Sequence, residues 1–136
     1  MMQFLLVAVG GALGAMARYG LGLTVGRLAP GAAWPQSWPW GTFTANVTGG
    51  LLMGLLAGWL ALKSGAGQES IRLFAAVGLL GGFTTFSAFS LEAALMIERR
   101  ELATAFVYAV GSVVLSIAAL FVGLMIARKL FTGVGA

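Results

Sequence analysis

The chain alternates between long apolar runs and short polar interruptions, and the lengths of the runs decide what they can build. Residues 1–17 carry no charge, Arg18 interrupts, and 19–26 complete a first apolar stretch. Residues 40–62 form a second, 73–91 a third whose apolar pattern continues across Glu92 to Ile97, and 102–127 a fourth. A helix needs about 20 mostly apolar residues to cross the hydrocarbon of a bilayer. The pattern therefore predicts four transmembrane helices, over about 2–27, 40–62, 71–97 and 102–127, making a single four-helix transmembrane domain over 1–136. The connections are too short to hold anything else. Residues 27–39 contain Pro30, Pro35 and Pro39 with Trp34 and Trp38, and Trp40 follows at the edge. That composition predicts proline-stopped helices inside an interfacial aromatic belt. Residues 63–70 read as a turn containing Gly and Ser, and 98–101 as a tight charged turn.

Composition strengthens the same reading. Hydrophobic residues make up 60% of the 136 and charged residues 9%, with a mean hydropathy of +0.97. A soluble domain carries about a quarter charged residues, because its surface must be solvated. The chain is an all-α membrane protein. Its first run is expected to stay as a span and not to be cleaved as a signal, since no basic segment precedes it and Gly10, Gly11 and Gly14 interrupt it.

Missing residue types narrow the chemistry. The sequence has no His, Cys or Asp, and its carboxylates are Glu69, Glu92, Glu98 and Glu101. This removes disulfides, thiolate or imidazole metal sites, and Ser-His-Asp or Cys-His nucleophiles. No enzymatic activity is expected. The formal charge of +4 comes from Arg and Lys at the ends of the runs, where cations meet lipid headgroups. They are not the footprint of a nucleic-acid partner. With four spans, Lys63, Arg72, Arg128 and Lys129 fall on one side, and Arg27, Arg99 and Arg100 on the other, with Arg18 nearby. The positive-inside rule needs an excess, and there is none. Balance of this kind permits insertion in both orientations and an antiparallel homodimer.

The polar positions within the spans are few and neutral. Gly10 and Gly14, and Gly50, Gly54 and Gly58, repeat at four-residue spacing and predict close helix contacts. Gly78, Gly81, Gly82, Thr84 and Thr85 cluster in the middle of the third span. Two readings fit that cluster. It is either a flexible or closely packed helix, or a helix broken at mid-membrane, whose freed carbonyls need a partner. Phe83, Phe86 and Phe89 follow at three-residue spacing, with Ser87 and Ser90 among them; ring edges are positive and can meet an anion without holding it tightly. Thr104, Tyr108, Ser112 and Ser116 stand four apart on one face of the fourth span, and Thr42 and Asn46 four apart on the second. Hydroxyls, an amide and ring edges suit an anion better than a cation, for which rings of carboxylates would serve. Arg18 either snorkels to the interface or attracts anions. Glu92 either reaches a vestibule or pairs across a dimer.

Three motifs carry a resemblance. They are Gly10-Gly11-Ala12-Leu13-Gly14-Ala15-Met16-Ala17-Arg18-Tyr19, then Gly41-Thr42-Phe43-Thr44-Ala45-Asn46 leading into Gly49-Gly50, then Gly81-Gly82-Phe83-Thr84-Thr85-Phe86-Ser87-Ala88-Phe89-Ser90. Through them the chain resembles the small bacterial fluoride channels, the Fluc or CrcB family, over essentially its whole length. The resemblance implies an antiparallel dual-topology homodimer in the bacterial cytoplasmic (inner) membrane, with two fluoride pores that let cytoplasmic fluoride leave passively. It implies a third helix broken at mid-membrane and, at the break, a structural Na⁺ that is not transported, held by the backbone carbonyls of Gly81 and Thr84 of both subunits. It makes Phe86 and Phe89 the ring pair on the ion path, Asn46 the pore amide, and Tyr108, Ser112 and Ser116 the hydroxyl track. Thr85, Ser87 and Arg18 complete the candidate pathway. Phe43 and Ala45 replace the more usual Leu and Val, and Ala88 replaces Thr, which takes one hydroxyl from that position.

Two rival readings share the architecture. A dual-topology multidrug exporter needs a carboxylate in its first span, and residues 1–26 contain none. A non-transporting assembly subunit leaves the polar stripe of the fourth span without a purpose. The residues do not by themselves choose fluoride over chloride.

Overall fold

The computed structural model describes residues 1–28, 38–62 and 67–132. Regular structure among these residues is helical throughout: α1 (Met2–Leu28), α2 (Trp40–Leu62), α3 (68–83), α4 (Phe86–Glu98) and α5 (Leu102–Thr132). Helices α3 and α4 follow one another along a single crossing, Gln68–Glu98, so the chain has four segments long and apolar enough to span a bilayer. The boundaries follow the hydropathy with two differences. The third crossing begins at Gln68, because Gly67 at φ 102° turns the chain directly into the helix. The last helix runs past 127 to Thr132, its final basic residues lying favourably at the negative end of the helix dipole.

The turn from α4 to α5 closes on Arg100, a non-glycine residue at φ 63°. The Glu101 N–H donates to the Met96 carbonyl at 3.0 Å and the Arg100 N–H to Ile97 at 2.9 Å. That pair of bonds is a Schellman cap, and it satisfies carbonyls that the helix end would otherwise leave open. The two long spans around it are thereby forced to run antiparallel.

Helix contacts are made through small residues. A Cβ on Gly10 would meet the Phe74 carbonyl, and one on Gly14 the Leu79 carbonyl. Those carbonyls belong to Arg72–Leu80, which is wound as a π-helix. On the other side of the bundle α2 lies along α5, its most extensive partner. There Gly54 abuts the Leu120 carbonyl, and Gly123 abuts the Leu51 carbonyl and, at 2.8 Å from its notional Cβ, the Leu55 nitrogen. Backbones can approach this closely only where side chains are absent, which is how helices gain packing in lipid without a hydrophobic drive.

Large apolar side chains point the other way. Leu115, Phe121, Val122 and Met125 on α5 are exposed, as suits a surface solvated by lipid tails and not by water. The buried cluster is small: Met96, Ala105 and Tyr108, with Trp38, Phe43 and Phe89 packed against it. Of the expected aromatic belt, Trp40 remains exposed while Trp38 turns inward onto Tyr108, with centroids 5.3 Å apart. Trp34 lies outside the described residues.

Candidate functional site

The site is built around two residues that leave the helical conformation. Thr84 sits at φ −83°, ψ 158° and Thr85 at φ −151°, ψ 122°, both extended, between α3 and α4. Extended backbone inside a helical crossing exposes peptide groups, and at membrane depth each one left unpaired costs several kcal/mol. Asn46, reaching from α2, answers this directly. Its Oδ1 accepts from the Thr85 N–H at 2.8 Å, and its Nδ2 donates to the Thr85 carbonyl at 3.0 Å. One side-chain amide thus pairs both backbone groups of Thr85, as a neighbouring strand would.

The two threonine hydroxyls finish the helix ends. Thr85 Oγ1 accepts from the Ala88 N–H at 3.2 Å and caps the start of α4. Thr84 Oγ1 donates back to the Leu80 carbonyl at 2.9 Å, and its methyl fills the space left by Gly49. These bonds redirect two donors. In a continuous α-helix the Gly81 carbonyl would accept from the Thr85 N–H and the Thr84 carbonyl from the Ala88 N–H. The first donor has gone to Asn46 and the second to the Thr85 hydroxyl.

Beside this segment a groove of about 380 Å³ runs between α2, α4 and α5, lined by Asn46, Thr85, Phe86, Phe89, Ser112 and Ser116 together with apolar residues. Ser112 and Ser116 have buried hydroxyl oxygens with no hydrogen-bond partner. A helix interior lets serine bond back to its own carbonyls; these two hydroxyls, in register beside the groove, do not. Phe86 and Phe89 stand 5.5 Å apart, inclined at 37°. Phe86 is 77% exposed, so the groove opens on the outer face of the chain.

The structure separates other candidates from this group. Tyr108 is fully buried, and its ring packs on Phe89 at 5.3 Å. Its hydroxyl donates to Glu92 Oε2 at 2.6 Å. Thr42 donates to the other oxygen, Oε1, at 2.7 Å. Glu92 is therefore clamped within the chain by two hydroxyls, between α2 and α5, and it also lines a second cavity of about 410 Å³ at the end of the bundle where α2 begins. The sequence leaves Glu92 either reaching a vestibule or pairing across a dimer; within one chain it lines this cavity. Neither Thr42 nor Tyr108 was legible as its partner, although Glu92 is the one carboxylate inside an apolar run. Ser87 is exposed, 3.2 Å from Thr85 Oγ1. Thr104 is exposed and outside the groove, and Arg18 does not line it; the Arg18 Nε is buried and without a partner.

Four apolar crossings, three of which border a groove without charged lining residues, define a small multi-pass integral membrane protein. No cluster of His, Cys, Asp or Glu fit to hold a metal occurs among the described residues. Its sequence matches the family described as CrcB-like protein, Camphor Resistance (CrcB), over residues 5–124, and the chain belongs to that family. Relatives with assigned names cover nearly all of it. It is 59% identical over 132 residues to the "Fluoride-specific ion channel FluC" of Caulobacter sp. (strain K31), covering 97% of this chain and 99% of the relative. It is 61% identical over 132 residues to the protein of that name from Phenylobacterium zucineum (strain HLK1), covering 96% and 99%. To that of Hyphomonas neptunium it is 55% identical over 128 residues, covering 94% and 97%.

Proposed function

We propose that this chain is a fluoride-specific ion channel, not an enzyme, acting in the bacterial cytoplasmic membrane as an antiparallel homodimer. The observation that carries the reading is the groove: buried hydroxyls of Ser112 and Ser116 without partners, beside a ring pair, with no carboxylate among its lining residues. Fluoride is small and strongly hydrated, so a path must replace its water with several donors. Free hydroxyls and ring edges do so without a fixed cation that would trap the ion. The names of the full-length relatives point the same way.

The outward opening of the groove supports the dimer. In a lone chain the groove would open on lipid tails along the exposed Phe86. A second copy closes the groove, and two-fold symmetry then makes two pathways. Balanced flanking charges favour partners of opposite orientation. Flux is passive, and an inside-negative potential adds about 2.3 kcal/mol per 100 mV for outward movement of each anion.

The freed carbonyls of Gly81 and Thr84 fit a structural cation. They are neutral oxygens whose helical donors have been redirected to Asn46 and Thr85, and no carboxylate accompanies them. Such a donor set suits Na⁺ better than Ca²⁺ or Mg²⁺, which are held by charged oxygens. Gly81 and Thr84 of each copy would hold the ion, which would tie the two segments together.

The reading is tested by fluoride efflux from proteoliposomes, followed with a fluoride electrode. Rapid efflux of fluoride with chloride retained is the expected result. Efflux no faster than from protein-free vesicles contradicts it.

A further inference from the structure

Glu92 lines the second cavity as an anion held by neutral groups. Thr42 Oγ1 donates to its Oε1 at 2.7 Å, and Tyr108 to its Oε2 at 2.6 Å. Hydroxyls this close on both oxygens suit an ionised carboxylate, which only accepts. Each oxygen keeps a second lone pair, and the residue is only partly buried where it borders the open volume. The clamp therefore orients the charge without offsetting it. A carboxylate withdrawn from water is costly unless a cation meets it.

Depth and lining say which kind of cation. The third crossing, Gln68–Glu98, has 31 residues, roughly 46 Å of helix at about 1.5 Å per residue. That is about the thickness of a bilayer with its headgroups. Glu92 stands before the end of α4 at Glu98 by about 9 Å, at the boundary between headgroups and acyl chains. Trp40 and Leu91, both exposed, border the same cavity, so it reaches the outer surface of the chain at that level. Gly22 and Gly26 of α1 form another wall, and a Cβ on either meets nothing within 4 Å. Arg27 follows Gly26 in the last turn of α1 and is exposed.

A carboxylate among apolar walls, with an arginine at the same helix end, complements a zwitterionic amphiphile. We propose that the cavity takes an aminophospholipid headgroup of the phosphatidylethanolamine kind. Its ammonium donates to Glu92, its phosphate lies toward Arg27, and its acyl chains run along Leu91 and Leu95. A primary ammonium suits the site better than choline, whose methyl groups leave no N–H to donate. The proposal goes beyond the channel reading and does not rest on it. Water is the competing occupant.

The test is native mass spectrometry of the full-length protein in detergent, titrated with phosphatidylethanolamine, phosphatidylcholine and phosphatidylglycerol of matched acyl chains. The wild type is expected to bind phosphatidylethanolamine about tenfold more tightly than either of the others, the contribution of one charge-assisted hydrogen bond. Glu92→Gln keeps the size of the side chain and removes its charge, and the preference is expected to disappear. Gly26→Leu fills the open space against α1 and keeps the test decisive if the first variant fails to assemble. It is expected to remove the preference as well. Equal binding of the three lipids by the wild type leaves the cavity to water and overturns the proposal, as does a preference that survives either substitution. None of these readouts depends on ion flux, so failure of the lipid site and failure of the channel are distinguishable.

Discussion

Asn46 does two jobs whose separation can be measured. It borders the groove, and it holds both backbone groups of Thr85. Asn46→Asp keeps an acceptor for the Thr85 N–H but loses the donor to its carbonyl and adds a negative charge. Fluoride efflux is expected to fall more than tenfold, from one lost buried hydrogen bond and the repulsion of the anion, with the dimer peak unchanged on size exclusion. Unchanged efflux would take Asn46 off the path. Thr85→Val removes the cap of α4 and is expected to cost about 1 kcal/mol, read as a lower melting temperature in detergent. An unshifted melt would show that the cap is dispensable. The amide was legible as a candidate because Asn46 is the chain's only Asn and stands four residues from Thr42. Its partner, 39 positions away, was not. Spacing along one helix says which residues share a face, never what that face meets, and Glu92 kept its two readings for the same reason.

Helices pack here by closeness of backbone, so the cost of a side chain depends on what lies opposite. Gly54→Val would drive a branched side chain against the Leu120 carbonyl, whereas a Cβ on Gly111 meets nothing within 4 Å. The first is expected to abolish the monodisperse peak and the second, Gly111→Ala, to leave it intact; equal behaviour of the two would contradict the packing of α2 on α5. Arg100, at φ 63° in the cap between α4 and α5, offers the opposite sign. Arg100→Gly removes a left-handed penalty of about 1 kcal/mol and should raise the melting temperature, while a drop would mean that the side chain contributes more than its backbone costs. Hydropathy was sufficient for the crossings because lipid demands length and apolarity from each one. It carried nothing about winding. The π-helical turn pattern of Arg72–Leu80 and the extended Thr84 and Thr85 depend on which backbone groups find partners. The cluster of Gly and Thr could mark only where helix propensity is low.

For the whole molecule, the groove opens outward and the flanking charges balance, and both features bear on the proposed dimer. Tags on the C-terminus are expected on both sides of the membrane in comparable amounts; a single orientation would remove dual topology and leave the four crossings. Replacing Na⁺ throughout by a large organic cation is expected to abolish efflux, and full activity without Na⁺ would remove the cation from the carbonyls of Gly81 and Thr84. The most direct test is whether fluoride passes along the groove itself. The chain has no cysteine, so a single thiol can be placed without altering the background. Ser116→Cys in liposomes is treated with methyl methanethiosulfonate, modification is confirmed by mass, and fluoride efflux is measured beside Val122→Cys, an exposed position on α5. Block of efflux in the modified Ser116→Cys protein, with Val122→Cys conducting normally after the same modification, is the predicted result. Undiminished efflux through fully modified Ser116→Cys would contradict the groove as the path of the ion.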